Sequence, residues 1–273
     1  MKVAYQGIRG AYSESAIYKH FGNDAEAISY NISEDVFKAV INGKVDYGLL
    51  PFENTIAGSI AINYDLLLKC DVVIIAEVFL PIVHNLLSHR GNRLENIKIV
   101  YSHNHALEQC REFIRKNKLK AISAYDTAGA AKIIKERNKH DEAAIASELC
   151  EKIYDLDIIE KNIATNKDNI TKFFVFANKD NIPNDIKKEK TSIVFKTKHY
   201  PGALINCLQR LAKHNINLTR LESRPIPENP WEYVFYADFE GGIEDENVKL
   251  ALSEMEAASV FLKVLGSYPN VKT

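Results

Sequence analysis

Short apolar runs alternate with amphipathic segments over residues 1–178. The apolar runs include KVAY at 2–5, YGLLP at 47–51, DVVIIAEV at 71–78, KIVYS at 98–102, AISAY at 121–125 and AAIAS at 143–147, and the amphipathic segments include SEDVFKAVING at 33–43 and HALEQCREFIRKN at 105–117. This alternation predicts an α/β domain with mostly parallel sheets. The polar stretch 179–190 contains a proline and lacks periodicity, which predicts a linker.

Residues 191–273 have a different order of elements. A strand (SIVFKT), a helix with Leu204, Leu208 and Leu211 on one face, two strands, a second helix (ENVKLALSEMEAA) and a last strand follow one another. The order βαββαβ is that of a ferredoxin-like unit. Such a sheet has one face without helices, so we expect a homo-oligomer in which a second copy covers a face or an edge.

Composition and charge narrow the class of partner. The 273 residues carry 35 Lys and Arg against 36 Asp and Glu, a formal charge of −1, so no basic field attracts nucleic acid or an anionic membrane. No apolar run approaches the ~20 residues of a membrane helix. The four cysteines, Cys70, Cys110, Cys150 and Cys207, are scattered, which favours reduced thiols. We therefore expect a cytoplasmic protein with a small-molecule partner.

Polar loops follow several of the predicted strands. GIRGAYSES at 7–15, PFENTIAGSI at 51–60, YSHNHALEQC at 101–110 and YDTAGAAKII at 125–134 place hydroxyls and glycines at such junctions, and DNITKFFVFA at 168–177 has polar residues ahead of an apolar strand. Each loop alone is also explained by a turn or a helix cap. Because loops gather at the carboxyl edges of parallel strands, together they predict one cleft for a substrate rich in carboxylate and hydroxyl oxygens.

The same loops exclude several chemistries. The spacing in GIRGAYSES is neither G-x-G-x-x-G nor a P-loop, so no cofactor is expected. His103, His105 and Cys110 lack a further ligand at suitable spacing, so no metal is expected. No Ser/His/Asp order or nucleophile elbow is visible, which argues against covalent acyl chemistry.

These motifs together resemble the monofunctional prephenate dehydratases that carry a C-terminal ACT regulatory domain. The resemblance rests on GIRGAYSE, PFENTIAGSI, SHNHALEQC, DTAGAAK, AAIAS and DNITKF, then on PGAL and LESRP; YQGIRGAYSES, NYDLLL, DTAGAAK and VLGSYP are similar to the plant-type branch, which includes arogenate dehydratases. It implies a two-lobed catalytic domain like a type 2 periplasmic binding protein at 1–178, a linker at 179–190 and an ACT domain at 191–273. The implied reaction needs no cofactor and converts prephenate to phenylpyruvate.

The resemblance also implies roles for individual residues. The catalytic group contains Thr171 as proton donor, with Lys172, Asn169, Glu53, Asn54 and Thr55. The substrate-binding group contains Gly10, Tyr12, Ser13, Ser102, His103, Thr127, Ala128 and Phe173. The family's T-R-F is Thr171-Lys172-Phe173 here, and Asn104 and His105 replace a proline and a glutamine. Lysine keeps the charge of arginine but loses its planar fork for carboxylates.

A phenylalanine effector is implied for the second domain. The expected effector residues, placed between paired ACT domains of a homodimer or homotetramer, are Gly202, Ala203, Leu204, Asn217, Glu222, Ser223, Arg224 and Pro225. Without the resemblance, Arg224 is a surface charge and Gly202 a helix cap. Two alternatives stay open: an arogenate dehydratase, and an amino-acid-binding regulatory protein whose catalytic lobe has decayed.

Overall fold

The computed structural model describes residues 1–226 and 229–271, and for residues 229–231 it describes the backbone alone. The parts of the expected ACT segment at 227–228 and 272–273 lie outside the described residues. The strands and helices are β1 Lys2–Gln6, α1 Tyr12–Phe21, β2 Glu26–Tyr30, α2 Ser33–Ile41, β3 Tyr47–Asn54, β4 Gly58–Ser59, α3 Ala61–Lys69, β5 Val72–Pro81, β6 Asn85–Ser88, β7 Ile99–Ser102, α4 Asn104–Gln109, α5 Arg111–Lys116, β8 Lys120–Ser123, α6 Thr127–Arg137, β9 Glu142–Ala146, α7 Leu149–Tyr154, β10 Asp157–Glu160, β11 Ile170–Asn178, β12 Lys190–Thr197, α8 Ala203–Lys213, β13 Leu218–Ile226, β14 Asn229–Glu240, α9 Glu246–Ala258 and β15 Ser259–Tyr268.

The chain divides into two compact units. Unit 1 contains Met1–Ala39, Gly48–Ile60 and Phe79–Phe173. Unit 2 contains Val40–Tyr47, Ala61–Val78 and the chain from Phe174 onward. No helix among the described residues combines the length and apolar character that crossing a membrane requires.

Unit 1 contains two groups of strands. In the first, β1 pairs in parallel with β2, and β3 forms a short antiparallel ladder with β4. The second group is a separate sheet in the order β10-β6-β9-β7-β8, with β7 parallel to β8 and β9, and β6 antiparallel to β9 and β10. The predicted α/β class is confirmed, and unit 1 has the two groups of strands that a two-lobed domain requires. The antiparallel pairs β3–β4, β6–β9 and β6–β10 make the sheets more mixed than expected.

The stretch at 168–177 forms a strand that is buried at almost every position. β11 is covered from Thr171 to Ala177 and partly open at its two ends. Phe173, Phe174 and Phe176 are among the largest fully buried side chains of the protein. The polar residues ahead of the strand therefore lie where it leaves the core, as the apolar run predicts.

The amphipathic segment at 105–117 is not one helix. α4 ends at Gln109 and α5 begins at Arg111, because Cys110 between them has the non-helical angles φ −104° and ψ 12°. The fully buried Cys110 keeps its backbone N–H bonded to Ala106 and Leu107, so the chain turns without losing this bond. The break ends the first helix at Gln109, a residue that lines the cleft described below.

Unit 2 contains the predicted βαββαβ order. The elements β12, α8, β13, β14, α9 and β15 follow one another, and the strands pair in the order β13-β14-β12-β15. All three pairings are antiparallel. Residues including Phe195, Leu211, Phe239 and Met255 form the core between this sheet and its helices.

Helix α3 also belongs to unit 2, although it lies early in the chain. Arg224 of β13 forms an ion pair with Asp65 at 3.0 Å, and the Tyr236 hydroxyl donates to the Tyr64 carbonyl at 2.9 Å. The Lys263 ammonium donates to carbonyls at the end of α3, including that of Leu68 at 3.0 Å. These contacts explain why Ala61–Val78 clusters with the C-terminal part of the chain.

Candidate active site

A cleft of about 520 Å³ opens within unit 1. This volume is in the range of small-molecule sites. Several predicted site residues line it, and they come from both groups of strands: Tyr12, Ser13, Asn54, His103, Thr127, Asn169, Thr171 and Phe173. The strand-to-helix junctions that the sequence singled out therefore meet around one cavity.

Thr171 and Lys172 point in different directions. Thr171 and Phe173 line the cleft, as expected for alternate residues of a strand. Lys172 is buried and does not line the cleft; its ammonium lies 3.4 Å from a carboxylate oxygen of Glu53. This placement argues against a direct contact between Lys172, a member of the expected catalytic group, and a molecule in the cleft.

The Asn54 side chain connects β3 to the start of β11. Its Oδ1 accepts hydrogen bonds from the backbone N–H groups of Ile56 at 3.0 Å and Ala57 at 2.8 Å. Its Nδ2 donates to Asn169 Oδ1 at 2.6 Å and to Thr171 Oγ1 at 2.9 Å. Thr171 Oγ1 thus accepts a hydrogen bond from the protein, which leaves its own proton available to a molecule in the cleft.

Six predicted residues do not line the cleft: Glu53, Thr55, Lys172, Gly10, Ser102 and Ala128. Thr55 follows β3 and binds the start of β11. Its hydroxyl donates to the Asp168 carbonyl and accepts from the N–H of Ile170, both at 3.0 Å. Ser102 is fully buried and donates to the Ile145 carbonyl at 2.6 Å. Ala128 is buried in the core of the second lobe.

Gly10 has a structural role and does not line the cleft. Its φ of +90° and the 2.6 Å between an added Cβ and Cys150 Sγ leave room only for glycine. The Gly10 N–H donates to the buried carboxylate of Glu14 at 2.6 Å, and its carbonyl accepts from Ser147 Oγ at 2.6 Å. The N-cap of α1 is Ala11, which forms no side-chain cap bond. Tyr12 and Ser13 instead lie in the first turn, facing the cleft.

The helix after β8 begins with a side-chain cap. Asp126 is the N-cap of α6, and its Oδ1 accepts from the Gly129 N–H. Its other oxygen, Oδ2, is enclosed and has no hydrogen-bond partner among the described residues. Asp126 is also the only carboxylate residue among the described residues that line the cleft.

Sequence reasoning missed two cleft residues that hold the others together. The imidazole of His84 lies between Tyr12, whose hydroxyl is 2.8 Å from Nδ1, and Gln109, whose Oε1 is 2.7 Å from Nε2. Gln109 Oε1 also accepts from Asn169 Nδ2 at 3.0 Å. Gln109 lies within the noted YSHNHALEQC motif, four residues after His105 and thus on one helix face, which was an available signal. No sequence signal distinguished His84 from other histidines near strand ends.

The cleft has few fixed charges. None of the described residues that line it is a lysine or an arginine. Burial lowers the pKa of His84. Burial and the neighbouring His105 lower the pKa of His103, whose Nδ1 accepts the His105 N–H and caps α4. Near neutral pH both imidazoles are therefore neutral hydrogen-bonding groups.

A second cavity, of about 790 Å³, lies in unit 2 beside the start of α8. Gly202, Ala203 and Leu204 line it, together with Lys196, Lys198, His199, Tyr200 and Phe235. The other expected effector residues, Asn217, Glu222, Ser223, Arg224 and Pro225, do not line this cavity. Arg224 contacts Asp65, Glu222 contacts Arg220, and Asn217 donates to Glu240 at 3.2 Å.

Comparisons with known proteins agree over nearly the whole chain. A family model described as prephenate dehydratase matches residues 3–181. Arogenate dehydratase/prephenate dehydratase 2, chloroplastic, of Arabidopsis thaliana is 44% identical over 98% of this chain and 73% of its own length. The solved prephenate dehydratase of Arthrobacter aurescens in complex with L-Phe has a TM-score of 0.89 and 28% identity, covering 99% of this chain and 90% of that one. A structure described as GqqA, a novel type of quorum quenching acylase, has a TM-score of 0.91 and 28% identity, covering 99% of this chain and 98% of that one.

Proposed function

The chain belongs to the prephenate dehydratase family, whose members are hydro-lyases, and on that premise we propose that its cleft converts prephenate to phenylpyruvate with Thr171 as the proton donor. The observation that carries this proposal is the hydrogen bond from Asn54 Nδ2 to Thr171 Oγ1 at the cleft wall. Turnover of prephenate by the purified protein, measured as release of phenylpyruvate, tests it. Absence of turnover with both prephenate and arogenate would defeat it.

The reaction asks little covalent chemistry of the protein. The bond between the ring and its carboxylate breaks, carbon dioxide leaves, and the electron pair enters the ring. The bond to the ring hydroxyl breaks at the same time, and the hydroxyl leaves as water after taking one proton. Formation of the aromatic ring supplies the driving force, so the protein needs to hold the substrate and deliver that proton.

Thr171 is suited to this task by its surroundings. A threonine hydroxyl is a weak acid in water, but Thr171 is buried at the cleft wall and its oxygen accepts from Asn54. A donor to its oxygen orients the hydroxyl proton towards the cleft and stabilises charge that develops on the oxygen as the proton leaves. One proton is consumed in each turnover, so solvent restores the hydroxyl.

Lys172 has a supporting role in this proposal. Its ammonium and the Glu53 carboxylate join the neighbouring strands β11 and β3 on the side away from the cleft. The exchange of the family arginine for lysine therefore need not remove a substrate contact, which favours an active enzyme over a decayed binding protein.

An acylase reaction, as described for GqqA, is not favoured by this cleft. A hydroxyl nucleophile needs a base that removes its proton. Thr171 Oγ1 instead accepts a hydrogen bond from an amide nitrogen, which cannot take a proton.

Arogenate is the second candidate substrate, and Asp126 is the observation that favours it. Arogenate carries an amino group where prephenate has a keto oxygen. Asp126 is the only carboxylate residue among the described residues that line the cleft, and an ammonium group of a ligand would pair with its charge. A keto oxygen at the same place would meet a second oxygen and gain nothing.

Asp126→Asn is expected to lower kcat/KM for arogenate about tenfold more than kcat/KM for prephenate. The substitution keeps the side-chain oxygen that accepts from Gly129, so α6 keeps its cap, while the charge that attracts an ammonium is lost. Steady-state kinetics with both substrates on one preparation measure the ratio, and each substrate serves as the control for the other. An unchanged ratio of the two kcat/KM values would remove Asp126 from substrate choice.

We also propose that residues 1–178 form the catalytic domain, 179–190 the linker and 191–273 an ACT domain that binds L-phenylalanine in a homodimer or homotetramer. The expected effector residues fall into two groups within unit 2, of which Gly202, Ala203 and Leu204 line the 790 Å³ cavity and those on β13 do not. A site completed by the β13 residues of a second copy fits this separation.

We propose a reducing compartment such as the cytoplasm for this protein. All four cysteines are unpaired, and burial raises the pKa of the Cys110 and Cys150 thiols to about 12.

Gly202→Ala is expected to weaken L-phenylalanine binding about tenfold or more without loss of the fold. Gly202 is the N-cap of α8 with φ +86°, a conformation that alanine resists, so the first turn beside the cavity must shift. Gly22→Ala is a matched control, because Gly22 has φ +83°, open space around an added Cβ, and a place in unit 1. Calorimetry on the intact protein measures both; equal affinities in the two variants would contradict an effector site at α8.

A further inference from the structure

A chain of hydrogen bonds runs along the cleft wall, and we call it the amide–imidazole chain. Its members, in order, are Tyr12, His84, Gln109, Asn169, Asn54 and Thr171. The successive heavy-atom distances are 2.8, 2.7, 3.0, 2.6 and 2.9 Å. These distances are those of well-formed hydrogen bonds. The chain ends at the proposed proton donor.

The backbone fixes the direction of this chain at Asn54. The side-chain atom of Asn54 that faces Ile56 and Ala57 receives two backbone N–H groups, so it must be the oxygen. Its amide nitrogen therefore faces Asn169 and Thr171. The same reasoning applies to the next two residues. The Asn169 atom that faces the Asn54 nitrogen must be an oxygen, so the Asn169 nitrogen faces Gln109. The Gln109 atom that receives this nitrogen must again be an oxygen.

This direction selects the protonation of His84. Gln109 Oε1 can only accept, so His84 Nε2 must carry a hydrogen. A neutral imidazole then has its lone pair on Nδ1. The Tyr12 hydroxyl lies 2.8 Å from this nitrogen and 2.8 Å from the Val83 carbonyl, so its one proton has both as acceptors. His84 is 3% exposed, and burial disfavours its charged form. The opposite tautomer would place the Nε2 lone pair against the Gln109 oxygen.

The consequence of this order appears at Thr171. If Gln109 turned, its nitrogen would face the nitrogen of Asn169, and Asn169 would have to turn as well. Two amide nitrogens would then meet at Asn54, and the nitrogen that donates to Thr171 would lose its acceptor on Asn169. We propose that His84, with its hydrogen on Nε2 and Tyr12 beside Nδ1, is a positioning residue that keeps Gln109 and Asn169 turned so that Asn169 Oδ1 accepts from Asn54 Nδ2, the same nitrogen that donates to Thr171. This inference rests on the proposed role of Thr171.

Kinetics of two His84 variants test the role. His84→Leu removes the donor to Gln109 and is expected to lower kcat by about 10-fold or more while KM changes less than about threefold. His84→Gln supplies an N–H near the place of Nε2 and is expected to recover most of the lost kcat. His89→Leu is the matched control, because His89 is also buried, donates from Nε2 to the Ile134 carbonyl at 3.0 Å, and lies outside the amide–imidazole chain. Its kcat is expected to stay within about twofold of wild type.

Equal kcat in His84→Leu and wild type, or equal losses in His84→Leu and His84→Gln, would overturn the positioning role.

A readout without turnover comes from the ¹⁵N shifts of ring-labelled histidines, with the His84 signals assigned from their loss in His84→Gln. The wild-type protein is expected to show a pyridine-type Nδ1 and a pyrrole-type Nε2, and Tyr12→Phe to weaken this preference. A pyridine-type Nε2, or a charged ring near neutral pH, would refute the inference even in an active enzyme. If the protein turns over neither substrate, the proposed function fails while the shifts still report the tautomer.

Discussion

Thr171→Val is expected to lower kcat by ~100-fold or more, a loss of about 2.7 kcal/mol of transition-state stabilisation. Valine keeps the branched shape and the strand preference of threonine, so β11 should form as before. The hydroxyl that supplies the proton is gone, and Asn54 Nδ2 loses one of its two side-chain acceptors. Thr171→Ser keeps a hydroxyl and is expected to retain turnover within about tenfold of wild type.

A matched variant separates this loss from a general effect on stability. Thr191 is a fully buried strand threonine in unit 2, and its hydroxyl donates to the Gly241 carbonyl at 2.8 Å. Thr191→Val removes a buried hydroxyl as Thr171→Val does, at a cost of about 1 kcal/mol in unfolding free energy. Thermal unfolding and steady-state turnover of both variants give the comparison. Wild-type turnover in folded Thr171→Val, or a loss of the same size in Thr191→Val, would remove Thr171 from the chemistry.

Periodicity predicted the elements of this protein well, because apolar spacing and burial follow the same geometry. The run 173–177 became the buried part of β11, and the six elements from β12 to β15 appeared in the expected order. The prediction of a single helix at 105–117 was wrong, because the break at Cys110 depends on backbone angles that the apolar pattern does not record. Motif spacing also identified the loops of the cleft, since four of them follow strands: β1 and β3 in one sheet, and β7 and β8 in the other.

The cleft itself was predicted only in part. Motifs identify loops, but which side chain of a loop faces the cavity depends on strand register and rotamer. Thr171 and Lys172 are neighbours in the motif, and only Thr171 lines the cleft. Ser102 is at a strand-to-helix junction and yet bonds to the Ile145 carbonyl inside the sheet. His84 was missed because its role depends on partners 72 residues before it and 25 residues after it in the chain.

Asn54→Asp is expected to reverse the hydrogen bond at Thr171 and lower kcat at neutral pH by ~100-fold. The introduced carboxylate can still accept from the N–H groups of Ile56 and Ala57. Its other oxygen, unlike the amide nitrogen it replaces, can only accept, so the Thr171 hydroxyl donates to it rather than to the substrate. The added negative charge also repels an anionic substrate, so KM should rise.

Acid should partly restore this variant. An aspartate carboxyl has an ordinary pKa near 3.9, and burial beside acceptors raises it, so the variant gains a proton as the pH falls towards and below about 5. The protonated carboxyl is again a donor to Thr171, and its charge is gone. The ratio of the variant's kcat to the wild-type kcat should therefore rise as the pH falls. Asn54→Leu, which has no group that titrates, is the matched control and should give a constant ratio. Equal ratios for both variants at every pH, measured on folded protein with a no-enzyme blank, would show that Asn54 does not set the direction of the Thr171 proton.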